Sequence, residues 1–144
     1  MSYAILFSGQ GSQNPEMLPW LHKNPLIQKM EEMLMIDDWR TALENTAWAE
    51  TNVNAQLLLT ATELAAWQVL RETGLEAPSV VAGYSVGELA AFSTAGFYEE
   101  HIALSLAEQR SRLMSQACEG NDFGMLAITG LQDRKSTRLN SSHG

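Results

Sequence analysis

Cysteine, proline and positive charge are all scarce in this chain. A single cysteine, Cys118, in 144 residues excludes an internal disulfide framework and fits a reducing compartment. Its plain role is that of a small, half-buried thiol. Nine lysines and arginines stand against seventeen aspartates and glutamates, for a net charge of −8, and such a surface repels phosphate backbones and argues against nucleic-acid binding. No apolar run approaches the roughly 20 residues that a membrane span needs, and the opening MSYAILFSG has neither the basic flank nor the apolar length of a signal peptide. Repeats and low-complexity linkers are missing too. The apolar fraction of 45% suits one modest globular domain, or part of one, and the expected setting is the cytoplasm.

The last twelve residues, DRKSTRLNSSHG, break with the rest: they are polar and basic, with Leu139 as their one apolar side chain. Asp133 to His143 matches the translated frame of a common sequencing adapter. Residues 133–144 are therefore expected to be non-native and are set aside in reading the fold. Without them the chain keeps six basic and sixteen acidic residues, a net charge of −10.

Three short apolar runs suit buried strands. Tyr3 to Phe7 stops at the turn-forming SGQGSQNP, Val80 to Gly83 follows Pro78, and Met125 to Ile128 lies between Gly124 and Gly130. Between the first two, PLIQKMEEMLMI and VNAQLLLTATELAAWQVLRETG read as helices, the second ending at a Gly74 placed where a helix-terminating glycine belongs. Strands separated by helices pair in parallel through helical crossovers, so the fold class is α/β.

Three features carry chemistry. Gly83-Tyr84-Ser85-Val86-Gly87 sits at a strand-to-helix junction. There a serine is lifted onto a strained turn beside a helix N-terminus, and glycines two residues either side let strand and helix approach. Ser85 is thus a candidate nucleophile. The helix predicted from Glu99 to Ala117 has an apolar stripe of Ala103, Leu106, Ala107, Leu113, Met114 and Ala117, with Arg110 in its middle and Arg112 outside it. A guanidinium on a buried face needs an anion, either an internal carboxylate or one on a substrate, which its planar fork can grip with two hydrogen bonds. The loop Ser8-Gly9-Gln10-Gly11-Ser12-Gln13 is neither a Walker A nor a dinucleotide fingerprint. It can instead offer a backbone N–H to an oxyanion at a strand's C-terminal end.

Taken together, GQGSQ near the start, GYSVGE in the middle and AEQRSRLM after it resemble the acyltransferase family typified by malonyl-CoA:acyl carrier protein transacylase, over about Tyr3 to Leu131. The resemblance implies a three-layer parallel sheet with helices on both faces, an α/β-hydrolase-like large subdomain with a ferredoxin-like subdomain inserted. On that pattern residues 1–122 are the N-terminal part of the large subdomain, and 123–132, with GMLAITGL, are the first strand of the small one. The implied reaction is ping-pong: Ser85 attacks an acyl-CoA thioester, holds the acyl group as an ester and passes it to the phosphopantetheine thiol of a carrier protein. The implied roles are nucleophile for Ser85, oxyanion donors for the N–H groups of Gln10 and Val86, and malonyl-carboxylate grip for Arg110. No cofactor or metal is implied, since CoA enters as a thioester substrate.

The chain departs from that pattern in places. Phe7-Ser8 replaces Phe-Pro before the GQG loop, Tyr84 replaces a histidine beside the nucleophile, and Ala55-Gln56 stands where Gln-Pro is common, which makes Gln56 a candidate substrate contact. Tyr84 is also compatible with acyltransferases of the malonate decarboxylase kind, whose acceptor is a carrier subunit. A serine esterase or thioesterase of the α/β-hydrolase kind shares GxSxG but needs neither the arginine nor the GQG loop, and a non-enzymatic carrier-docking module needs no nucleophile at all. The family's base is a histidine beyond the inserted subdomain. His22 and His101 are expected to play no such part, His143 falls in the suspected adapter, and these 144 residues alone are expected to be inactive.

Overall fold

The computed structural model describes residues 2–11 and 13–120. Strand β1 (Ala4–Phe7) and strand β2 (Val80–Gly83) pair in parallel, with Ala4 opposite Val80 and Phe7 opposite Gly83. As the sequence suggests, a helical crossover joins them. It contains α1 (Pro25–Leu34), the short α2 (Trp39–Leu43) and α3 (Thr46–Ala49), and the long α4 (Asn52–Glu72). Helices α5 (Gly87–Thr94) and α6 (Glu100–Cys118) follow β2. The sequence reading of a third strand at 125–128, of an insert beginning at 123 and of a foreign tail at 133–144 falls outside the described residues.

Local chemistry accounts for the helix ends. Asn24 caps α1 by accepting from the Ile27 N–H, with Pro25 in the first turn, where its missing N–H costs nothing. Asp38 and Asn45 cap α2 and α3 in the same way. Neither short helix is evident from periodicity in the sequence, although each begins at a residue type that favours the cap. Helix α4 ends as expected, with Gly74 at a φ of 83° just past its last turn.

Helix α4 is the centre of the molecule and is buried on nearly every side, including Leu57, Leu58, Ala61, Leu64 and Ala65. Its buried Thr60 and Thr62 satisfy their hydroxyls on the carbonyls of Gln56 and Leu58 one turn back. Antiparallel to it runs α6, with Asn52 bonded to the Ser111 carbonyl at one end and Gln68 to Glu100 at the other. The buried face of α6 is Ala103, Leu104, Ala107 and Ser111. Small side chains at three of these positions, four residues apart, let the two helices approach closely. The predicted stripe is thus correct in its first half and wrong in its last turns, where Leu113 is 64% and Met114 39% exposed. Asn52, the first residue of α4, reaches Ser115, and among the described residues α4 offers no partner beyond it.

On the sheet, Ile5, Phe7 and Val81 face the core. The opposite face leaves Leu6 76% and Val80 56% exposed among the described residues.

Candidate active site

Strand β2 turns into α5 through Tyr84, Ser85 and Val86. Ser85 has a φ of 55°, a left-handed conformation that is strained for a residue with a Cβ and is held here by its surroundings. Val86 is fully buried below it, and the turn is closed by bonds from the Gly87 N–H to the Tyr84 carbonyl and from Glu88 to Ser85. The two glycines of the motif are there for space. A Cβ on Gly83 would lie 2.3 Å from the Gly87 carbonyl, and one on Gly87 would lie 2.5 Å from the carbonyl oxygens of Phe7 and Ser8. Backbone cannot yield as a side-chain tip can. Gly87→Ala should therefore cost more than about 3 kcal/mol in chemical denaturation. Gly96→Ala, at a φ of 86° with open space around it, should cost only about 1 kcal/mol from strain.

The elbow presents Ser85 to a guanidinium. Arg110 Nη2 donates to Ser85 Oγ at 3.3 Å, and Nη1 donates to Gln56 Oε1 at 2.6 Å. Gln56 is itself fully buried and donates its amide to Asn52 Oδ1 at 2.6 Å. A polar chain therefore runs from the first turn of α4 through Gln56 and Arg110 to the serine. Among the described residues no carboxylate lies within ion-pair distance of Arg110, whereas Arg112, outside the stripe as expected, pairs with Glu108 at 2.6 Å. The alternative of an internal anion for Arg110 finds no support among these residues. The guanidinium is half-buried rather than sealed in, which leaves its remaining donors open to a ligand.

The loop after β1 lies against the elbow. A Cβ on Gly9 would meet the Tyr84 ring at 2.7 Å, and the Tyr84 N–H donates to the Phe7 carbonyl. This arrangement brings the Gln10 loop beside the turn that holds Val86. Among the described residues, the N–H groups of Gln10 and Val86 donate to no protein acceptor, the condition an oxyanion donor must meet. The loop is anchored from below by Glu63 on α4, whose Oε1 accepts from both the N–H and the hydroxyl of Ser8, at 2.7 and 2.9 Å. Burial pushes the Glu63 carboxyl up to about 7, against the opposing effect of those two bonds.

A strained strand-to-helix turn carrying a serine, an arginine bonded to it and a glycine loop beside it agree with what the chain is similar to. Residues 5–141 match the acyl transferase domain family. The chain belongs to that family. It is 34% identical over 139 residues to the malonyl CoA-acyl carrier protein transacylase of Salmonella typhimurium, covering 91% of this chain and 44% of that protein. The crystal structure of the malonyl-CoA:acyl carrier protein transacylase from Helicobacter pylori superposes with a TM-score of 0.83 at 27% identity, over 99% of this chain and 48% of that one. A malonyl-transacylase solved in complex with a type II polyketide synthase acyl carrier protein superposes with a TM-score of 0.76, also at 27% identity. The chain thus spans less than half the length of these relatives, and the matched span runs past Gln132 into the segment read as adapter.

Within this acyl transferase chain, the structure brings Ser85, Val86, Arg110 and Gln56 together and sets the Gln10 loop beside them. It also bonds Gln56 to the guanidinium of Arg110, which places that candidate substrate contact beside the serine. Asn52, Ser111 and Glu63 were missed. Asn52 and Ser111 carried no sequence signal beyond being polar in a helix, but Glu63 was findable as a charge inside an otherwise apolar and small-residue run, TATELAAW. Among the described residues, Ser85 Oγ has no histidine partner. His22 is exposed, and His101 sits at the start of α6 beside Glu99 at 3.3 Å. A cleft of about 570 Å³ lined by Trp67, Arg71, Tyr98 and His101 includes none of the site residues. No group of three or more metal-ligating side chains occurs among the described residues, and no described helix is long and apolar enough to cross a membrane.

Proposed function

We propose that the protein is an acyltransferase that moves a malonyl group from CoA to the phosphopantetheine thiol of an acyl carrier protein through an ester on Ser85. The observation that carries this reading is Arg110, which is bonded to Ser85 and to a buried glutamine and has no carboxylate of its own within ion-pair reach among the described residues. A cation so placed selects an acyl group that ends in a carboxylate, and it holds that group over the nucleophile. An esterase would have no use for it.

In the proposed reaction, Ser85 Oγ attacks the thioester carbonyl as its proton passes to a base. Because Arg110 donates to Oγ rather than accepting from it, the hydroxyl proton is left free for that transfer. The oxyanion is held by the N–H groups of Gln10 and Val86, and the C–S bond breaks as CoA leaves as its thiol. A carrier thiol then attacks the ester, and Ser85 recovers its proton. As the family resemblance implies, the base is a histidine contributed from outside the described residues. The setting is cytoplasmic, and the thioester serves as substrate with no further cofactor.

Initial rates for the full domain, measured with malonyl-CoA and a holo acyl carrier protein both varied, should give parallel double-reciprocal lines. Intersecting lines would contradict an acyl-enzyme mechanism. Release of free malonate as the main product, with or without carrier present, would favour a hydrolase. A carrier subunit of the decarboxylase type, offered in place of the acyl carrier protein, distinguishes the two acceptors.

A further inference from the structure

A half-buried carboxylate, Glu63, has no task in the proposed reaction. Glu63 lies on α4 among Thr62, Leu64 and Ala65, all of them buried. Its Oε2 is buried with no hydrogen-bond partner among the described residues, while Oε1 alone takes both donors of Ser8. A carboxylate oxygen held out of water with no partner is costly to keep. Leucine would fill the same space at no such cost if the position served packing alone. Ser8 is two residues from Gln10, and its carbonyl oxygen lies where Gly87 must have no side chain. The residue that Glu63 holds is therefore the one that sets the height of the Gln10 loop against the elbow. A proline in place of Ser8 would offer Glu63 neither donor.

We propose that Glu63 is a positioning residue for acyl transfer at Ser85, tying the Gln10 loop to α4 through the N–H and hydroxyl of Ser8 so that the loop's amide meets the oxyanion. This rests on the acyltransferase reading. The ionised carboxylate makes charge-assisted bonds to Ser8 that are about twice as strong as those of its neutral form. The group titrates near pH 7, burial being the dominant cause and Ser8 the one group that opposes it; no charged side chain of β1, β2, α5 or α6 contributes. The loop is held most firmly above that pH. Since the oxyanion exists only in the transition state, the clamp acts on the acylation rate and leaves donor binding alone.

The test is single-turnover acylation of the full domain by malonyl-CoA between pH 6 and 8.5, comparing wild type with Glu63→Gln, which keeps an acceptor oxygen but never ionises. The acylation rate of E63Q should be about fivefold below wild type at pH 8.5 and should converge on it at pH 6, with the half-saturating malonyl-CoA concentration unchanged throughout. Titration of the base affects both enzymes alike and cancels in the ratio. As a second arm, Ser8→Pro should slow acylation by a similar factor and abolish the pH dependence of the E63Q to wild-type ratio when that ratio is measured in the S8P background. A ratio that stays constant across the pH range would overturn the proposal, because a merely structural glutamate lowers folding without tracking pH in this way. A wild-type domain that never esterifies Ser85 would overturn the acyltransferase reading along with it, so the two failures are distinguishable.

Discussion

Arg110→Ala should lower kcat/KM for malonyl-CoA by about 10²- to 10³-fold in the full domain while raising the rate with acetyl-CoA above wild type. Truncating one side of a desolvated charge pair costs about 2–5 kcal/mol, and each 1.4 kcal/mol is a factor of ten. The gain with acetyl-CoA has a separate origin. In the wild-type enzyme an uncharged acyl group leaves the half-buried guanidinium without an anion, and alanine removes that mismatch. Parallel rate measurements with the two donors decide the matter. An equal loss with both would mean that Arg110 serves only to orient Ser85 Oγ, to which it donates at 3.3 Å.

Ser85→Ala should reduce transfer by about 10⁴-fold or more, the scale on which serine enzymes fail without their nucleophile. The fold should tolerate the change well. Ser85 occupies a left-handed backbone conformation that alanine adopts at a cost of about 1 kcal/mol. Its hydroxyl accepts one bond, from an arginine that stays bonded to Gln56. A variant that unfolds would instead show that the serine is needed to build the turn, so unfolding midpoints should be measured beside the rates.

Much of the site was legible because each part left a local mark. The strand ending at Gly83, the glycines two residues either side of Ser85 and the helix after them follow from short-range sterics, and the clash distances at Gly83 and Gly87 are the three-dimensional form of that pattern. Arg110 stood out as a charge in an apolar stripe. The rest depended on pairings between distant segments. That Gln56 reaches Arg110 follows from the antiparallel register of α4 and α6, and that Glu63 meets Ser8 depends on where the loop after β1 comes to rest against α4. Neither register is written in either segment alone. The stripe on α6 failed in its last turns for a similar reason: periodicity shows which side chains share a face, but what covers that face is set by segments elsewhere in the chain. Helices α2 and α3 were missed because five and four residues are too few to show a period.

The claim on which the account turns is that Ser85 becomes esterified with an acyl group chosen by its carboxylate. Intact mass of the full domain after brief exposure to malonyl-CoA, with peptide mapping, tests it most directly. The account predicts one malonyl adduct on Ser85 in the wild type, none in Ser85→Ala, and much weaker labelling by acetyl-CoA. An unmodified wild-type mass, or an adduct carried on any other residue, would contradict it.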